Sequence, residues 1–233
     1  AKVGEGGMGA VYRGRHLNLD IDDAIKCLKN VLPEQSPAFV TRFQREARIA
    51  ASVHHQNLVQ VYDISEKNGV HYLVMEYVRG ETARERVTRK KRLKEGEALK
   101  ILFGAASGLA AAHGQRIVPR DNKPDNILIS YDGKVKVSDL GLAKALEVDA
   151  GPSLTMGVMG TPQYMAPEQW EDSATVGPTA DVWALGATFF YLLTGEHAIP
   201  GGSMQQIYKR ICVDPFPSIQ EKLPGLSPQA RAV

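Results

Sequence analysis

Residues Ile117–Leu128 constrain this chain more than any other stretch. Pro119 and Pro124 break a helix there, because each lacks a backbone N–H and has a fixed φ. The same run carries an acid, a base and an amide, Asp121, Lys123 and Asn126, and is flanked by apolar residues. It reads as a rigid polar loop between buried elements, where chemistry is commonly placed. A second acid, Asp139, stands thirteen residues after Asn126 and is followed by Leu140 and Gly141. An acid, an amide and another acid suit a hard divalent cation that keeps waters and bridges phosphates.

The flanks of this loop predict its setting. Glu97–Gly114 is predicted to be a helix, with Leu99, Leu102, Ala106, Leu109 and His113 along one side and Gly114 ending it. Ile127–Ile129 and Val135–Val137 flank Tyr131-Asp132-Gly133, a hairpin signal that returns Asp139 beside the loop.

Upstream, Gly4, Gly6 and Gly9 allow a backbone to approach phosphate oxygens. A dinucleotide-binding turn would need a helix directly afterwards. Ala10–Gly14 reads as a strand instead. Ala24, Lys26 and Leu28 share one strand face, and a lysine between two apolar neighbours calls for a partner. Ser36 and Pro37 start a helix in which Phe39, Phe43, Glu46, Ala50 and Val53 form a stripe, so Glu46 lies in the apolar face and needs a cation. Leu58–Ile64 and Val70–Val78 are predicted strands joined by a polar turn at Glu66–Gly69. The basic run Arg84–Lys94 reads as a solvated helix face and loop.

Downstream, Leu142–Tyr164 has no periodicity and contains Ser153, Thr155 and Thr161, each able to carry phosphate. Asp181 heads a very apolar helix running to Thr194, and Ser203–Gln206 is a capping-box start. A formal charge of +2 over 233 residues gives no argument for nucleic acid or a membrane surface. Cys27 and Cys212 lack metal-ligand spacing, which favours a reducing cytoplasmic setting. No apolar run reaches the roughly 18 residues of a membrane span. Both ends read as cut, so the full protein could still be membrane-anchored.

Taken in order, the glycine run, the strand lysine, the helix glutamate, D-x-K-x-x-N at Asp121–Asn126, D-L-G at Asp139–Gly141, A-P-E at Ala166–Glu168 and D-V-W-A-L-G at Asp181–Gly186 resemble the motifs of protein kinases. The resemblance covers nearly the whole chain and is strongest to the bacterial serine/threonine kinases of the eukaryotic-like, Hanks-type group. It implies an α+β fold of two lobes. A small antiparallel β lobe with one helix would span residues 1–78, and a larger, mainly α lobe residues 79–233, truncated at both ends.

The implied activity is transfer of the γ-phosphoryl group of Mg-ATP, with Mn²⁺ an acceptable substitute, to Ser/Thr hydroxyls of protein substrates, the chain itself among them. Asp121, Lys123 and Asn126 would be catalytic, with Asn126 and Asp139 holding the metal. Gly4, Glu5, Gly6, Gly7, Met8 and Gly9 would form the flap over the phosphates. Lys26, fixed by Glu46, would grip the α- and β-phosphates. Val11, Ala24, Met75, Glu76, Val78 and Leu128 would surround the nucleotide, with Glu76-Tyr77-Val78 as hinge. Asp181 would tie down the catalytic loop, and phosphorylated Thr155 or Ser153 would order the long loop through Arg120.

Two positions depart from the pattern. Pro119 replaces a histidine, and Asn122 a buried apolar residue, where an unpartnered amide costs roughly 1–3 kcal/mol. The expectation is a catalytic kinase with a loosened core around the loop. The alternative is a pseudokinase, a nucleotide-binding or scaffolding module without efficient catalysis.

Overall fold

The computed structural model describes residues 1–6, 9–28, 37–140, 161–171 and 176–231, without the side chains of residues 6, 37–40, 42 and 43. Strands β1 (Lys2–Gly6), β2 (Gly9–His16), β3 (Ile21–Leu28), β4 (Val61–Lys67) and β5 (Val70–Glu76) make one antiparallel sheet in the order β1-β2-β3-β5-β4. Asn68 and Gly69 take φ of 54° and 77°, the paired positive values of a tight two-residue hairpin between β4 and β5. Helix α1 (Pro37–Ser52) packs on β4. Ser36, expected to cap it, lies outside the described residues.

The rest is mainly helical. Helices α2 (Ala83–Lys90) and α3 (Glu95–Gly114) precede the loop, and α4 (Pro167–Glu171), α5 (Pro178–Thr194), α6 (Met204–Cys212), α7 (Ile219–Lys222) and α8 (Pro228–Arg231) follow it. A small sheet of β6 (Gly80–Thr82), β7 (Ile127–Ser130) and β8 (Val135–Val137), in that order, lies at the loop's edge. Helix α3 packs against both α5 and β8. Its apolar residues Ile101, Leu102, Ala105 and Leu109 join Phe189, Leu192 and Leu193 of α5 in the main core. Ala50 of α1 and Val53, just after the helix, enter the same core, so the sheet half and the helical half share buried surface.

Local chemistry explains the boundaries. Helix α6 begins with the expected capping box, Ser203 accepting from Gln206 N while the Gln206 side chain accepts from Ser203 N. Helix α5 ends at Gly195, whose φ is 78° and whose N–H donates to Tyr191 O at 2.8 Å. A Cβ there would lie 2.1 Å from Lys91 O, so glycine is required twice over.

Three expectations shift. Helix α3 starts at Glu95, two residues early. The strand expected over Leu58–Ile64 begins only at Val61. Residues 57–59 pair instead with β8, through Val59 N to Val137 O at 2.9 Å and Val137 N to Asn57 O at 2.8 Å. One apolar run thus serves two sheets, which alternation alone cannot separate. Pro124 does not exclude all helix either, since Pro124–Asn126 form a single 3₁₀ turn with proline at its start.

Candidate active site

A cleft of about 820 Å³ opens between the five-stranded sheet and the loop before β7. That volume suits a bound small molecule. Ala24, Val59 and Met75 are buried together, with Val11, Val78 and Leu128 packed on them, and all six line the cleft as an apolar wall. Gly4, Glu5 and Gly9 line its rim, and Glu76 its edge. A Cβ on Gly9 would sit 2.0 Å from Cys27 O, so only glycine lets β2 approach β3 this closely. Gly6 pairs with Gly9 across β1 and β2, while Gly7 and Met8 lie outside the described residues.

The polar floor gathers Lys26, Asp121, Lys123, Asn126 and Asp139 in the same cleft. Strand alternation puts Lys26 on the inward face beside Ala24, where it is only 4% exposed. Its Nζ donates to Asp139 Oδ1 at 2.5 Å. Lys123 Nζ reaches both Asp121 oxygens, at 2.8 and 3.0 Å. Asn126 Nδ2 donates to Asp121 O at 2.8 Å and to Asp121 Oδ2 at 3.2 Å. Burial pushes the Asp121 carboxyl above the ordinary aspartate value. Asp139's charge pushes the same way, while Lys123 and Asn126 oppose it. Arg120 and Asp139 both adopt left-handed backbone, with φ of 65° and 61°. Such conformations cost roughly 1–3 kcal/mol each and cluster at functional sites.

Glu46 is the correction here. It does not line the cleft, and Lys26 pairs with Asp139 rather than with it. Among the described side chains, Ala47 and Ala50 of α1 and Val53 just after it are buried, while Glu46 is half-buried beside them. One residue is about 100° of helix, too fine a rotation for a stripe of five positions to fix.

Asn122 overturns the expectation of a loosened core. It is 2% exposed, and its Nδ2 donates to Asp181 Oδ1 at 2.6 Å. The same oxygen accepts Arg120 N at 2.9 Å, so Asp181 does tie down the loop. Its Oδ2 lies 2.7 Å from His113 Nε2 of α3. The amide that looked unpartnered in sequence is satisfied, which removes one of the two reasons for weighing a non-catalytic module.

Arg84 and Asp125 carried no sequence signal of their own, yet both line the cleft. Arg84 Nε donates to Asp125 Oδ1 at 2.6 Å, and its guanidinium lies 5.5 Å from the centre of the Tyr191 ring. Arg84 belongs to the run read as solvated. Its neighbours fit that reading only loosely, since Arg86 and Arg89 pair with Glu81. Thr161 also lines the cleft. Ser153 and Thr155, and hence the expected phosphorylation switch, lie outside the described residues.

A paired lysine and acid, a second acid held by lysine and amide, and a strand pair with glycines at its turn are features of the protein kinase kind. The chain belongs to the protein kinase domain family, whose model matches residues 1–229. It is 40% identical over 205 residues to serine/threonine-protein kinase PrkC of Bacillus subtilis (strain 168), a match covering 88% of this chain and 31% of that protein. It is likewise 40% identical over 222 residues to serine/threonine-protein kinase PknB of Mycolicibacterium smegmatis, covering 92% of this chain and 35% of that protein. With serine/threonine-protein kinase PknL of Mycobacterium tuberculosis it shares 38% over 231 residues, 98% of this chain and 57% of that one. The chain thus spans about a third of the length of the first two relatives. The fold is the two-lobed α+β kinase fold, of the bacterial serine/threonine group. Family membership brings ATP and a divalent metal with it in general terms. No helix among the described residues is long and apolar enough to cross a membrane.

Proposed function

We propose that this chain transfers the γ-phosphoryl group of Mg-ATP to serine or threonine hydroxyls of protein substrates. The convergence of Lys26, Asp121, Lys123, Asn126 and Asp139 on one cleft carries this reading. Asp121 orients the substrate hydroxyl and accepts its proton as the oxygen attacks the γ-phosphorus and the bond to the β–γ bridging oxygen breaks, releasing ADP. Lys123, already bound to Asp121, sits where it neutralises charge on the transferred group. Lys26 holds the α- and β-phosphates, and the apolar wall of Ala24, Met75 and Leu128 takes the base.

The residues fit a hard cation. Asn126 donates through Nδ2 and keeps its carbonyl oxygen for a ligand, and Asp139 keeps Oδ2 outside its contact with Lys26. Asn126 and Asp139 would hold Mg²⁺, or Mn²⁺ in its place, which would supply positive charge against that of the phosphates.

The lobe division is placed at residues 78 and 79, after β5 and before β6, and catalysis in the cytoplasm. Two free cysteines support the latter. The test is label transfer from γ-labelled Mg-ATP to a general basic protein and to the chain itself, followed by acid hydrolysis. Phosphoserine or phosphothreonine supports the proposal. Label on tyrosine alone, or no transfer, contradicts it.

A further inference from the structure

Asp121 needs a fixed backbone as well as a fixed carboxylate. Its side chain is held by Lys123 and Asn126. Its backbone is approached from both neighbours. On one side Arg120, in the left-handed conformation, donates N–H to Asp181 Oδ1 at 2.9 Å. On the other, Asn122 Nδ2 reaches the same oxygen at 2.6 Å. One buried carboxylate, 1% exposed, therefore clamps the residues before and after the proposed base. His113 on α3 holds the opposite oxygen, so the clamp is fastened to two helices.

The two ties to Asp181 differ in kind. The Arg120 tie is backbone and exists whatever the side chain. The Asn122 tie depends on an amide of the right length in a site otherwise closed to water. Pro119, which has neither an N–H nor a side-chain donor, adds no tie of its own. A strained residue at 120 stays strained only while its surroundings over-determine it. With the Asn122 tie gone, Arg120 still keeps its N–H on Asp181, its carbonyl oxygen on Gln169 Nε2 at 3.1 Å and its Nη2 on Val176 O at 2.8 Å, so the freedom gained falls on the Asn122 side of Asp121.

We infer that Asn122 is a positioning residue for phosphoryl transfer, acting on Asp121 through its hydrogen bond to Asp181. The inference rests on the kinase reading above. Asn122 does not line the cleft, so its influence falls on the chemical step and not on nucleotide affinity.

The test compares steady-state kinetics of wild type, Asn122→Leu, Asp181→Asn and the double variant, with Mg-ATP and a basic protein. Leucine keeps the volume and loses the donor. The expected result is a kcat at least tenfold lower in Asn122→Leu with the KM for ATP within twofold. In the Asp181→Asn background the same change should cost less than threefold, because the tie is already weakened. Should Asn122→Leu not fold, Asn122→Ser, smaller and too short to span to Asp181, carries the same expectation. Full kcat in either variant, a parallel rise in the KM for ATP, or additive losses in the double variant would overturn the inference. A wild-type chain without transfer would overturn the kinase reading and this inference with it, whereas an active wild type with an unaffected Asn122→Leu overturns this inference alone.

Discussion

Lys26 and Asp139 form the ion pair that joins the five-stranded sheet to the segment after β8, Nζ to Oδ1 at 2.5 Å across 113 positions of sequence. Without nucleotide this pair, and not one with Glu46, satisfies the buried lysine. Glu46→Gln should therefore change the stability of the nucleotide-free chain by less than about 0.5 kcal/mol. Asp139→Ala leaves the lysine buried alone and should cost about 1–3 kcal/mol. Urea unfolding of the two variants checks the contrast, and equal losses would contradict it.

Arg84 neutralises Asp125 in the wall of the cleft. Arg84→Ala should expose that carboxylate to the substrate. The KM of a basic peptide should then fall relative to that of an acidic one by about threefold to fivefold, the size of a partly exposed charge contact. The KM for ATP should stay unchanged. Steady-state kinetics with a matched peptide pair reads this directly.

The lysine on β3, the loop acids and the glycines were legible because strand alternation and motif order fix them locally. Glu46 was assigned the wrong partner because its position depends on a helix rotation smaller than a five-residue stripe specifies. Asn122 looked like a liability because its partner, Asp181, is distant in sequence. Arg84 was hidden in a run of charges, and only the packing of α2 on the 3₁₀ turn brings it to Asp125. The strand at Leu58 was displaced because residues 57–59 serve β8 rather than β5. What sequence missed in each case was a tertiary contact, not a local propensity.

Two glycines, one inside α5 and one capping its C-terminus, should respond oppositely. Gly186, inside α5, has nothing within 4 Å of an added Cβ, so Gly186→Ala should stabilise by about 0.5–1 kcal/mol. Gly195, at φ 78° with Lys91 O in the way, should lose at least about 1–2 kcal/mol on the same change. Denaturant midpoints at constant slope are the measurement.

Burial raises the Asp181 carboxyl above the ordinary aspartate value, against the pull of His113, Arg120 N–H and Asn122. A carboxyl that binds its proton more tightly when folded favours the fold most at low pH. That contribution is lost as pH climbs from the unfolded value through the raised one. Relative to Asp181→Asn, the wild type should lose thermal stability as pH rises above about 4. A difference that grows in wild type's favour over that range would contradict the assignment.

The most direct measurement is single-turnover phosphate transfer from labelled Mg-ATP by wild type and Asp121→Asn, with nucleotide binding followed in parallel. A positioned base contributes about 10²- to 10⁴-fold, so transfer by the variant should fall by that factor while ATP still binds. Equal transfer by both chains would contradict the role given to Asp121.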